Sequence, residues 1–99
     1  VDDVVSIAAG WGHSLAAGRD STVWAWGQNG YGELGNGTRV DSNVPVQVVG
    51  LDYVSALACG GTYSAALTPD GAFWEWGQTG FGGVGPKEGT TVPVHVPLF

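Results

Sequence analysis

The stretch VWAWGQNGYG at residues 23–32 decides the fold, because it returns as FWEWGQTGFG at residues 73–82. The two copies align without a gap from Val4 opposite Val54 to Gly35 opposite Gly85. Repetition at this period is typical of propellers and solenoids, in which each unit buries its apolar faces only against neighbouring units. The sequence therefore predicts two tandem units, residues 1–50 and 51–99.

Each unit contains four short strand-like runs separated by turn residues. The predicted strands are Val4–Ala9, Ser14–Ala17, Thr22–Trp26 and Pro45–Val49 in the first copy, and Val54–Cys59, Ser64–Thr68, Ala72–Trp76 and Pro93–Val96 in the second. The turn sequences at residues 18–21 and 68–71 predict a hairpin between the second and third strands of each copy. Four short antiparallel strands per unit predict an all-β protein made of β-propeller blades.

The composition narrows the classes of partner. Nine acidic against three basic residues give a formal charge of −6, which repels a phosphate backbone, so we expect no nucleic-acid partner. No apolar run approaches the length of a membrane span, and the N-terminus lacks a signal-peptide pattern, so we expect a soluble chain without membrane contact and of unknown compartment. The absence of methionine favours a piece of a longer protein.

The pattern AGWGHSLA at residues 9–16, followed by Asp20 and by the stretch at residues 23–38, closely resembles the repeat of the regulator of chromosome condensation family. The resemblance covers nearly the whole chain. It implies that each unit is a four-stranded blade of a ring that several blades close. The second copy departs from the pattern in its loops, since Gly-Thr-Tyr at residues 61–63 replaces Trp-Gly-His at residues 11–13.

No motif in the sequence predicts chemistry. The GxGxxG patterns at residues 30–35 and 80–85 resemble a dinucleotide fingerprint, but no helical periodicity follows them, and that fingerprint requires a helix N-terminus. His13, His95 and Cys59 do not show metal-ligand spacing, and no serine or cysteine is flanked by a base and an acid. We therefore expect no catalytic residue, no cofactor and no metal.

The remaining aromatic residues divide into core and interface candidates. Residues two apart on a strand share a face of the sheet, which predicts that the paired tryptophans are structural. The expected structural core contains Trp24, Trp26, Trp74 and Trp76, with the following Gly27 and Gly77.

Trp11 lies between Gly10 and Gly12 in a predicted turn, where a large aromatic has fewer reasons to be buried. It is therefore the first candidate for contact with a partner protein. His13 and its counterpart Tyr63 complete this candidate interface, although a structural histidine is favoured over a catalytic one.

These features favour a non-catalytic scaffold for protein–protein interaction. The family resemblance implies an alternative, in which the chain is part of a guanine nucleotide exchange factor for a small GTPase. A second alternative is a module that assembles with further copies of itself into a closed ring, because two blades leave unpaired edges and faces.

Overall fold

The computed structural model describes residues 4–20, 22–51, 53–78 and 89–96. Within these residues the chain forms β1 Val4–Ala9, β2 His13–Gly18, β3 Val23–Gly27, β4 Ser42–Gln47, β5 Ala56–Cys59, β6 Tyr63–Leu67, β7 Phe73–Gly77 and β8 Thr90–Val96. Strands β1 to β4 form one antiparallel sheet and strands β5 to β8 a second, each in chain order. The predicted all-β class with two four-stranded antiparallel units is confirmed.

The fourth strand of each sheet starts earlier than predicted. Gly27 pairs with Ser42, and Gly77 pairs with Thr90, in each case beyond an irregularity in the ladder. Strand β4 also ends at Gln47, short of the predicted end. The predicted starts at proline were wrong because β4 and β8 are edge strands, where a proline can lie inside the strand without breaking a central ladder.

Both predicted hairpins are present. The Gly18 amide donates to the Thr22 carbonyl at 2.8 Å, and the Thr68 amide donates to the Ala72 carbonyl at 3.0 Å. Gly71 adopts a φ of 86°, which favours glycine. The hairpins therefore place Gly18 and Thr22, and residues 68–72, at one end of the strands, and the β1–β2 and β5–β6 loops at the other.

The core lies between the two sheets, which approach each other through β1, β2 and β5. Alternate positions of β2 and β3 face it, as the pleat of a strand requires. Its buried members are Leu15, Ala17, Val23, Ala25, Leu34, Val48, Leu51, Ala66 and Trp76. The opposite face of the first sheet, which carries Trp24 and Trp26, has no sheet packed on it within the described residues.

Candidate functional site

Trp11, on the loop between β1 and β2, is the most exposed large aromatic of the described residues, at 89%. Its backbone amide donates to the Gly61 carbonyl at 3.2 Å. A Cβ added to Gly61 would lie 2.9 Å from Cδ2 of the indole, so the ring rests against the backbone of the second blade. The indole is thus positioned by two loops while most of its surface faces solvent.

His13 lies behind this loop and is only 3% exposed. Its Nε2 is 2.9 Å from Oγ of Ser64, whose hydroxyl donates to the Glu33 carbonyl at 2.8 Å. Because that hydroxyl has a single hydrogen, Nε2 of His13 must be the donor to Ser64. Burial lowers the pKa of His13, against an opposing effect of the Glu33 carboxylate. His13 therefore joins the two sheets, and a partner docking on Trp11 would not reach its ring.

Tyr63 occupies the position of His13 in the second copy, but it is 39% exposed. The turn is the same in both copies, since the Gly10 amide donates to the His13 carbonyl at 2.9 Å and the Gly60 amide to the Tyr63 carbonyl at 3.1 Å. The ring of Tyr63 covers Gly60, leaving no room for a Cβ there. Trp11 and Tyr63 thus form the accessible part of the candidate interface at this end of the strands.

The Trp-Gly-Gln segment of each repeat fixes these loops. Gly27 has a φ of 112°, and the next amide, that of Gln28, donates to the Gly12 carbonyl at 2.8 Å. Gly77 has a φ of 87°, and a Cβ there would lie 2.7 Å from the Thr62 carbonyl oxygen. Both glycines are therefore required by backbone conformation and by close approach of the loop, which is a structural role.

The four paired tryptophans differ in burial. Trp76 is fully buried, and its Nε1 donates to the Glu33 carbonyl at 2.9 Å. Trp24, Trp26 and Trp74 are half-buried. For Trp24 and Trp26 the cause is the uncovered face of the first sheet, whereas Trp76 on the equivalent face of the second sheet packs against the first.

The sequence reasoning missed Asn29, which organises the connection between β3 and β4. Its buried side chain donates to the Thr38 carbonyl at 2.8 Å and to the Val40 carbonyl at 3.1 Å, and it accepts from the Leu34 amide at 3.0 Å. A single polar residue thus holds a long turn-rich segment against the core. The only sequence signal was an asparagine directly after a repeated Trp-Gly-Gln, at a position where the second copy has Thr79.

The glycine-rich segment at residues 30–35 forms turns, with φ values of 83° at Gly32 and 68° at Gly35. The equivalent segment at residues 80–85 lies outside the described residues. Within the described part of the chain, no group of three or more His, Cys, Asp or Glu side chains is arranged to hold a metal ion. The described residues also contain no helix long and apolar enough to cross a membrane.

Comparison with known proteins agrees with this architecture. Two family models of the Regulator of chromosome condensation (RCC1) repeat match the chain, one at residues 20–67 and the other at residues 4–33. The chain is built from regulator of chromosome condensation repeats. The two matches overlap and together run from β1 of the first blade to β6 of the second.

Solved structures of RCC1-type β-propellers match nearly the whole length of this chain. Human WBSCR16 aligns with a TM-score of 0.82 and 24% identity over 98% of this chain and 26% of that chain. Prp20p from Saccharomyces cerevisiae gives the same values. A chain in the crystal structure of Kap60 bound to yeast RCC1 (Prp20) aligns with a TM-score of 0.79 and 30% identity over 96% of this chain and 23% of that chain. The RCC1 repeats therefore have the fold of adjacent propeller blades.

Curated relatives match shorter stretches. The probable E3 ubiquitin-protein ligase HERC4 of Homo sapiens is 54% identical over 35 residues, which are 35% of this chain and 3% of that protein. The ultraviolet-B receptor UVR8 of Arabidopsis thaliana is 45% identical over 42 residues, which are 42% of this chain and 10% of that protein. The chain thus spans a tenth or less of these curated relatives and about a quarter of the solved structures.

Proposed function

We propose that the chain is a non-catalytic β-propeller scaffold that binds a protein partner through the loops carrying Trp11 and Tyr63. The observation that carries this proposal is the 89% exposure of Trp11, combined with its attachment to Gly61. A large aromatic that is already positioned loses little conformational freedom on binding, and such residues are enriched among the contacts that dominate interface energy.

The solved relatives support a protein as the partner class. The structure of Prp20p is described together with its binding to Gsp1p and histones, and yeast RCC1 is described bound to Kap60. A small GTPase is one candidate partner, and nucleotide exchange is the corresponding alternative function. Release of labelled nucleotide from a GTPase, measured with and without the chain, separates the two: release at the intrinsic rate favours the scaffold, and acceleration favours exchange.

The scaffold proposal is tested with a photo-crosslinking amino acid at position 11, followed by affinity measurements on the purified partner. We expect Trp11→Ala to weaken binding by about tenfold or more, as for a central interface aromatic. Val40→Ala is the matched control, because Val40 is 71% exposed on the connection between β3 and β4. Equal affinity of Trp11→Ala and the unsubstituted chain would overturn the proposed surface.

Self-assembly is the second candidate, and the outer faces of the two sheets favour it. Ile7 is 73% exposed beside Trp26, and both line an apolar cavity of about 390 Å³ on the first sheet. On the far face of the second sheet, Ala65, Leu67 and Phe73 line another of about 210 Å³.

When the two repeats are aligned, the outer face of the first sheet is equivalent to the face of the second sheet that packs against the first. The far face of the second sheet is likewise equivalent to the inner face of the first. The second sheet of one copy could therefore pack on the first sheet of another copy in the same way as the two sheets pack within the chain. Light scattering coupled to size-exclusion chromatography over a range of concentrations tests this. A discrete dimer, trimer or tetramer supports ring closure by copies, and a monomer at all concentrations rejects it.

A further inference from the structure

Glu75 on β7 stands where Ala25 stands on β3 of the first blade. Ala25 is fully buried in the core between the two sheets. Glu75 pairs with Ala65 on β6 and with Val94 on β8. The alternation of side chains along a strand puts it on the far face of the second sheet, because its neighbour Trp76 belongs to the core. An acid thus occupies, on the far face, the position that a methyl group fills between the blades.

The surroundings of Glu75 within the chain are largely apolar. Among the described strand residues, the other titratable side chain on this face is Tyr63 on β6. His95 is paired with Trp74 and therefore belongs to the opposite face, and Asp70 lies in the turn at the end of the strands. Oε2 of Glu75 is buried and accepts no hydrogen bond from the described residues. Burial raises the pKa of Glu75 above its ordinary value of 4.5, so the ionised form is already disfavoured in the separate chain.

The contact between the two blades indicates which surface fits the far face. Within the chain, the inner face of the first sheet, which carries Ala25, packs on the face of the second sheet that carries Ser64 and Trp76. The equivalents of these two residues are Ser14 and Trp26, which line the cavity of about 390 Å³ on the outer face of the first sheet. The first sheet of another copy therefore offers the far face the same kind of surface.

This offered surface has no charged strand residue with which an enclosed Glu75 could pair. Its described strand positions are Ile7 and Ala9 on β1, Ser14 and Ala16 on β2, Trp24 and Trp26 on β3, and Gln47 on β4. Arg19 and Asp20 lie in the β2–β3 turn at the end of the strands. Enclosing an ionised carboxylate among uncharged groups is costly, and a carboxyl group in such surroundings takes up a proton instead.

We propose that the far face of the second sheet docks the outer face of the first sheet of a second copy, and that Glu75 controls this contact. The copies separate while the carboxylate is ionised and pack together when it carries a proton. Because packing encloses the group further, each contact takes up a proton at Glu75, and association strengthens as the pH falls. This inference rests on self-assembly, the second candidate function, and adds to it the residue that regulates the contact.

Glu75→Gln tests this control, because the amide keeps the shape of the carboxyl group and stays neutral. The molar mass of the full chain is measured by size-exclusion chromatography with light scattering at about pH 7.5 and about pH 6. We expect the unsubstituted chain to associate about tenfold more tightly at the lower pH. Glu75→Gln should associate at least as tightly at both values. Near-ultraviolet circular dichroism checks that the chain is folded at both, since His13 also titrates in acid.

Two further variants separate this effect from a general effect of charge. Asp70→Asn removes the same single charge from an exposed turn, and it should keep the pH dependence of the unsubstituted chain. Ile7 is 73% exposed on the outer face of the first sheet. Ile7→Glu, added to Glu75→Gln, puts a charge on that face and should return the chain to a monomer at neutral pH.

Three outcomes would contradict the inference. Equal association and equal pH dependence of the unsubstituted chain and Glu75→Gln would overturn the role of Glu75 while leaving self-assembly intact. Assembly that survives Ile7→Glu would overturn the proposed docking surface. Monomers of every variant at both pH values would overturn this inference and self-assembly together, and the Trp11 experiment is independent of all three results.

Discussion

Trp76 Nε1 and Oγ of Ser64 both donate to the backbone carbonyl of Glu33, at 2.9 Å and 2.8 Å. Glu33 belongs to the connection of the first blade, and both donors belong to the second. One carbonyl thus joins the turn after β3 to two strands of the neighbouring sheet. The interface between the blades is therefore specified by buried polar contacts as well as by apolar packing.

Removal of the Trp76 side chain should be the most destabilising of the tryptophan substitutions. Trp76→Ala is expected to lower the free energy of unfolding by about 3–5 kcal/mol, because it empties a fully buried site. Trp26→Ala should cost less, since Trp26 is half-buried on an uncovered face. Urea unfolding of both variants provides the comparison, and equal losses would show that the Trp26 face is covered in solution.

Gly35 is expected to tolerate alanine less well than Gly37. Both have positive φ, 68° and 88°, so both substitutions strain the backbone. A Cβ at Gly35 would also lie 2.7 Å from Trp76 Nε1, whereas a Cβ at Gly37 has no neighbour within 4 Å. We expect Gly37→Ala to cost on the order of 1 kcal/mol and Gly35→Ala clearly more. Similar unfolding midpoints for the two variants would contradict the predicted contact with Trp76.

His13 should make the stability of the chain depend on pH. Burial lowers the pKa of His13 below its ordinary value of 6.5, so the folded state prefers the neutral ring. The corresponding stability is fully present above pH 6.5 and is lost as the pH falls toward the folded-state pKa, because the unfolded chain takes up the proton first. Each unit of pKa difference is worth about 1.4 kcal/mol.

Urea unfolding between pH 7.5 and about 5 tests this prediction. His13→Gln should remove most of the loss of stability below pH 6.5, and His95→Gln, on an exposed position of β8, is the control that should retain it. A loss of stability that is unchanged in His13→Gln would assign it to other groups.

Cys59 should react slowly while the chain is folded. Burial raises the pKa of its thiol to about 11, which leaves little thiolate at pH 8. Relative to an ordinary cysteine thiol, the rate of disulfide exchange with Ellman's reagent should fall roughly a hundredfold or more. The same chain in concentrated urea is the control and should react at the ordinary rate. Rapid reaction without denaturant would mean that β5 opens readily.

The repeat made most of the fold predictable, because two aligned copies indicate the same strand order twice. The hairpins followed from local turn chemistry around Asp20 and Asp70. The early start of β4 did not follow, since it depends on pairing between Ser42 and Gly27 across a long connection. The anchoring role of Asn29 was equally hidden, because its hydrogen-bond partners are backbone groups brought near only by folding.

The candidate site was less accessible to sequence reasoning than the fold. Trp11 was identified from its glycine neighbours, but the burial of His13 depends on Ser64, which lies 51 residues away. The indole N–H of Trp74 is buried without a hydrogen-bond partner among the described residues, and this becomes visible only when its surroundings are compared with those of Trp24, which donates to Thr22. The burial of His13 depends on a contact between residues far apart in the chain, whereas the contrast between Trp24 and Trp74 depends on a side chain only two residues away.

The threonine that bonds to the turn aspartate follows the aspartate in the first blade, at position 22, and precedes it in the second, at position 68. The residues at positions 18 and 22 therefore depend on each other, as do those at positions 68 and 72. In the first blade, Thr22→Ala would remove the hydroxyl that Asp20 and Trp24 share, and only the backbone amide of residue 22 would remain as a donor to Asp20. In the second blade, Asp70 tolerates an alanine at position 72 because Thr68 already serves it. The order of substitution therefore matters, because a threonine gained at the first position of the turn before the other is lost keeps the aspartate supplied with a hydroxyl throughout.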